Sequence, residues 1–325
     1  MNIAKKNHFN PCFWTAYWNR DYYAAATTSD RRPDPRNQRV FALNVKANKV
    51  LSLTVENVHF DKHLGVAEIT PDELKAFCRR NFPDEYESVC RDVGADPETV
   101  YLDFEPVLST LENSPAYQVL HDVIPKQRIE TQLERSFVAS FIYIHMLRGH
   151  AILNSLVQLA EIGQRPKFEL FWAIKHALGD PQFLGEQVTP FYEADWVLYR
   201  SDSDDFALCD SPILGGGDMG FVALSPHLLL QFDLGKKCTG DGTVTAIPVT
   251  PKIQSEFQTR TIGNTFREII SSNRQLLDAW QQTPEFERRH EALANENQYN
   301  QMVAENTHGE LWKINALGYG QRSDG

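Results

Sequence analysis

Residues 137–147, FVASFIYIHML, are apolar on almost every face of a helix. A surface helix carries one apolar stripe, whereas a helix that is apolar all round must be enclosed by other elements. The run is also too short to cross a bilayer, which takes about 20 residues, and charged residues flank it closely. It therefore predicts the buried centre of a long helix over 130–160, with the rest of the chain wrapped around it. Gly149 is placed to kink or weaken that helix.

Other helices have their own signals. Thr70-Pro71-Asp72-Glu73 is a helix start: an N-cap threonine, proline in the first turn and acids that suit the helix dipole. That helix should run to about Phe82. Asp96-Pro97-Glu98 opens another helical region, with breaks at Pro106, Pro115 and Pro125. KFELFWAIKHALGD (167–180) is a further helix, closed by Gly179 and Pro181. Phe9, Phe13, Trp14, Tyr17, Trp18, Tyr22 and Tyr23 make residues 7–23 a short aromatic helix docked into the core.

Strand patterns bracket this helical centre. VFALNV (40–45) and KVLSLTV (49–55) predict an N-terminal β-hairpin. After residue 190, WVLYR (196–200), SDSDD and FALCD (206–210) read as strand, turn, strand. FVALSPHLLLQFDL (221–234) and TVTAIPVT (243–250) continue an antiparallel meander. Helical pattern returns over 251–282. The class is therefore α+β, with one domain over 1–284 and a polar, partly helical tail over 285–325, which could carry homo-oligomer contacts.

Composition narrows the function classes. The formal net charge is −11, which repels phosphate backbones at long range and argues against non-specific nucleic-acid binding. The five cysteines form no CxxC pair, as expected of reduced thiols in a cytoplasmic protein. The N-terminus lacks an apolar run of signal-peptide length, and no membrane segment is expected.

Few motifs survive inspection. ILGGGDMGF (213–221) is followed by a strand pattern, so it reads as a hairpin loop rather than a phosphate loop opening a helix. There is no Walker sequence, no GxSxG and no HExxH; His290-Glu291 lacks its partner because Ala294 stands there. His59 and His63 read as surface histidines, and Asp202, Asp204 and Asp205 as a solvated turn. Arg31, Arg32, Arg36 and Arg39 beside the aromatic segment have the composition of a single-strand binder, but a solvated arginine loop is the preferred reading. His145 and Arg148 end the buried-looking helix. A buried arginine keeps its proton and needs a carboxylate or several carbonyls; Asp210 and Glu112 are the expected partners.

NHFNPCFW (7–14) resembles the start of the family called domain of unknown function 4238, which opens with a histidine–proline signature followed by aromatics. The resemblance continues, in order, through Glu112 on an apolar helix, Arg148, FALCDSPI (206–213), ALSPHLLL (223–230) and Asn264 in NTFREIISSN (264–273). It covers roughly residues 7–273. Cys12 departs from the pattern, where a more polar residue is expected. The resemblance supplies positions rather than an activity: His8, Glu112, Arg148, Asp210 and Asn264.

These residue types suit acid–base work, a divalent metal ion or a phosphate. The expectation is a hydrolase-like enzyme, of nuclease or phosphoester type, acting on a phosphate-containing or nucleic-acid substrate. His8 would be the acid–base group, Glu112 and Asp210 would hold a metal ion or water, and Arg148 would neutralise charge. The alternative is a non-catalytic binding or regulatory protein in which the same residues are a structural hydrogen-bond network. The two differ spatially: His8, Glu112 and Asp210 must converge on one substrate to act together.

Overall fold

The computed structural model describes residues 7–8, 10–28, 32–61, 66–81, 100–103, 105–148, 181–216 and 218–295. They form an α+β fold with several antiparallel sheets. The N-terminal aromatic segment comprises β1 (Asn7–His8), α1 (Cys12–Thr15), a 3-10 turn over Ala16–Trp18 and α2 (Arg20–Thr28). Trp14, Tyr17, Trp18 and Tyr22 are buried. A buried indole must place its N–H: Trp14 donates to the Leu224 carbonyl at 3.0 Å and Trp18 to the Phe206 carbonyl at 2.7 Å. The aromatic segment is thus pinned to the C-terminal strands.

The predicted hairpin is present as β2 (Arg39–Asn44) and β3 (Lys49–Thr54), with Asn48 at φ 50 in its turn. β4 (Phe60–Asp61) pairs with β1, and β5 (Val66–Ile69) with β6 (Val100–Asp103). Between those two lies α3 (Pro71–Asn81), whose start is a reciprocal cap: Thr70 donates its N–H and hydroxyl to Glu73, and the Glu73 N–H returns to the Thr70 hydroxyl.

The helical centre contains α4 (Glu105–Glu112), α5 (Pro115–Gln118), α6 (Leu120–Lys126), β7 (Arg128–Ile129), α7 (Gln132–Arg148) and α8 (Pro181–Glu193). Pro115 opens a helix as expected, while Pro125 is accommodated near the end of α6. In α7, Val138, Ala139, Phe141, Ile142, Tyr143 and Ile144 are all buried, so the helix is enclosed as its apolar circumference requires. Each large side chain so buried contributes about 1.5–3 kcal/mol. α5 and α8 pack on it. Near the start of α7, buried Arg135 donates to the carbonyls of Tyr192, Ala194 and Gly242, and its guanidinium lies 4.1 Å from the Trp196 ring. The requirement expected at Arg148 is met here by carbonyls and an aromatic face; the Arg148 side chain lies outside the described residues. Asp96 itself, Gly149 and 167–180 also lie outside them, as do His63 and 296–325, but Val100–Asp103 is strand β6 where the Asp96 start predicted helix.

The C-terminal half departs from the expected meander. β8 (Ala194–Arg200) and β9 (Leu208–Cys209) are not one hairpin: β8 joins a five-stranded sheet and β9 a four-stranded one. The SDSDD loop crosses between sheets. β10 (Leu214–Gly216) and β11 (Met219–Ser225) form the hairpin predicted from the glycine run. Gly220 is required there, since a Cβ would collide with the Phe232 ring. β12 (Leu228–Lys237) turns back from β11 at Pro226-His227 and pairs with β8. β13 (Val244–Thr245) pairs with β7, and β14 (Ile247–Pro248) lies parallel to β8.

The helix expected over 251–282 is three elements: α9 (Pro251–Asn264), β15 (Glu268–Ser271) and α10 (Arg274–Trp280). β15 lies between β2 and β9, and all four of its residues are buried. A strand covered on both faces shows no alternation, so Ile269-Ile270 passes for part of a helical pattern. α11 (Pro284–Ala294) follows, with Phe286 and Leu293 in the main core, so core packing continues past residue 284. No helix among the described residues is long and apolar enough to cross a membrane.

Candidate functional site

A cavity of about 620 Å3 opens between the N-terminal segment and the α4–α6 region. His8 reaches it from β1, whose pairing with β4 sets His8 opposite Phe60. His8 Nε2 is 3.2 Å from the Glu56 carbonyl oxygen. A carbonyl only accepts, so Nε2 is the donor in this contact. Cys12 and Phe13, at the start of α1, form another part of the wall, and exposed Arg36 stands at the rim. Arg36 is held in a 3-10 turn whose Asp34 side chain accepts from the Arg36 N–H at 3.0 Å.

The facing wall comes from the end of α4 and from α6. Glu112 is the last residue of α4, and Ser109, Asn113 and Gln118 lie around it. The Glu112 carbonyl accepts from the Gln118 amide at 3.3 Å, which holds the helix end against the next turn. His121 completes the wall. Its Nδ1 is 2.7 Å from the Tyr17 hydroxyl, and its ring lies 5.3 Å from Phe13. Burial, and secondarily the charge of Arg32, lowers the His121 pKa to about 4, so this imidazole is neutral at pH 7.

Two of the five residues singled out in the sequence therefore line one cavity: His8 and Glu112. Asp210 does not join them. It is buried, and its carboxylate accepts the backbone N–H groups of Phe266 at 3.0 Å and Arg267 at 2.6 Å. Burial pushes its pKa up to about 7 against the pull of those donors. Asn264 donates to the Arg260 carbonyl one turn back in α9. Arg148 closes α7.

Asp210 belongs to a closed polar cluster. Asn10 donates to the Cys209 carbonyl at 2.9 Å and to His59 Nδ1 at 2.8 Å. His59 Nε2 donates to the Glu268 carbonyl at 3.0 Å, and the His59 N–H donates to the Glu268 carboxylate at 3.1 Å. His59 is thus buried, not on the surface as its loop pattern suggests. Its pKa is lowered to about 3, chiefly by burial. A proton on Nδ1 would also oppose the Asn10 amide.

The aspartate-rich turn differs from expectation as well. Asp204 is only 9% exposed, with Arg20 Nε at 2.7 Å and His227 Nε2 at 3.0 Å. Hydrogen bonding to His227 holds its carboxyl down to about 2, and the same contact raises His227. Among the described residues, no group of three or more His, Cys, Asp or Glu side chains is arranged to hold a metal ion.

Sequence reasoning missed His121, Tyr17 and the participation of Arg36 in the cavity. A lone histidine on a short helix carries no spacing signal. Its importance comes from a partner 104 residues away. Comparison with known proteins returns no matching family model, no matching curated protein and no matching solved structure.

Proposed function

We propose that the cavity is a ligand site of hydrolase type for a small phosphorylated molecule. The observation that carries this reading is convergence: His8, Arg36, Glu112 and His121, from separate stretches of chain, line one cavity. Its volume lies within the range of small-molecule sites, about 300–1,000 Å3. His8 suits proton transfer; Glu112 suits the orientation of an attacking water; Arg36 suits a phosphate at the rim. The ordered motifs also support relation to domain of unknown function 4238, and two positions of that resemblance line the cavity.

The test is turnover of a panel of phosphomonoesters and phosphodiesters by the full chain and by Glu112→Gln and His8→Gln. Hydrolysis that falls about 100-fold or more in both variants, with melting unchanged, is the expected result. Hydrolysis that is indifferent to both variants removes the proposal.

A second reading, a non-catalytic binding or regulatory protein, is favoured by Asp210 and Asn264. The Asp210 carboxylate and the Asn264 amide nitrogen bond to internal backbone atoms. Saturable binding of a phosphorylated ligand, weakened in Arg36→Ala and accompanied by no turnover on any panel member, would select it.

A further inference from the structure

His121, which lines the cavity, is backed by a side chain that the reading above does not use. Tyr17 is buried, and its hydroxyl lies 2.7 Å from His121 Nδ1. Burial raises the phenol above its ordinary pKa, so it stays protonated and can act as the donor. A neutral imidazole has one donor and one acceptor nitrogen. If Nδ1 accepts from Tyr17, Nε2 bears the hydrogen. Nδ1 faces the buried Tyr17, so the opposite edge of the ring, with Nε2, is the edge available to the cavity. The ring is further located by Phe13, at 5.3 Å, and by the Tyr17 ring, at 6.0 Å.

We propose that Tyr17 positions His121 so that Nε2–H donates to an oxyanion of the bound ligand, with Arg36 meeting its charge at the rim. This inference rests on the reading of the cavity as a phosphate-ligand site. It deepens that reading by naming the ligand's donor and the residue that fixes it. The charge environment agrees: burial and Arg32 keep the ring neutral, so it can donate without losing its proton to solvent. A fixed donor aimed at an oxyanion needs no reorganisation when the ligand arrives.

The test is long-range proton–nitrogen NMR of the imidazole rings in the full-length 15N-labelled protein. His121 is assigned by its disappearance in His121→Gln. The expected spectrum is a neutral Nε2–H tautomer between about pH 5.5 and 8, with the tautomer preference weakened in Tyr17→Phe. Inorganic phosphate should then shift the His121 Nε2 signal saturably, with affinity falling about tenfold in Arg36→Ala. A charged ring or an Nδ1–H tautomer in the wild type overturns the Tyr17 arrangement, and this holds even if Tyr17→Phe fails to fold. Phosphate that shifts His8 but leaves His121 still overturns the donor role while sparing the cavity. Phosphate that shifts neither ring removes the cavity reading itself.

Discussion

His8 and Asn10 stand two residues apart in NHFNP, yet they enter opposite kinds of place. In the cavity, His8, Arg36, Glu112 and His121 face a common open space. In the closed cluster, Asn10, His59, Asp210 and Glu268 are buried, and most of their bonds run to backbone atoms. Those bonds staple the segment around residue 59 and the end of β9 to β15. The comparison teaches that a polar residue's chemical type says little about its role. What its neighbours already take from it decides whether it can still serve a ligand.

The largest effect expected from this division is on the closed side. Asp210→Ala takes the acceptor from the buried Phe266 N–H and the part-buried Arg267 N–H and should cost about 3 kcal/mol of stability, read from equilibrium urea unfolding. A loss near zero would mean that the cluster is not a staple. Asn10→Ala removes two hydrogen bonds and should cost about 2 kcal/mol by the same measurement.

The pH dependence separates the groups by sign. His59 and His121 are held below the ordinary histidine range, at about 3 and about 4. The unfolded chain binds these protons first, so each ring's contribution is intact above about pH 6.5 and is lost as the pH falls toward the folded value. The stability difference between wild type and His59→Gln should therefore shrink from about pH 6.5 toward 3. For His121→Gln the shrinkage should end near pH 4. Asp210, raised to about 7, runs the other way. Its folded form binds the proton more tightly, so relative to Asp210→Asn the wild type gains stability as the pH falls from about 7 to 4. Parallel curves for any pair would show that the residue does not titrate as described.

The smallest stability effect belongs to the open side. Glu112→Gln should change unfolding free energy by no more than about 0.5 kcal/mol while lowering phosphoester turnover about 100-fold. A large destabilisation would move Glu112 to the closed side and erase the contrast.

Much of the fold could be read in advance because local rules governed it. The enclosed α7, the β2–β3 hairpin and the Thr70–Glu73 cap each follow from a few adjacent residues. β15 could not be read, because a strand buried on both faces has lost its alternation. Of the cavity, His8 and Glu112 were legible as residue types at marked positions. His121 was not, since its orientation depends on Tyr17. Nor could sequence separate Asp210 from the cavity, because the Phe266 and Arg267 N–H groups that occupy it belong to a segment that reads as helix.

β15 also carries a consequence for how the chain is made. It is the inner neighbour of β2, and Glu268 meets His59 across 209 residues. During synthesis the hairpin emerges early, with β2 showing an unpaired edge until residues 268–271 arrive. Such distant pairing makes closure slow, and an open edge in the interval is a site for pairing between nascent chains. A ribosome-bound chain halted before residue 268 would display that edge, and release of the C-terminal segment would remove it.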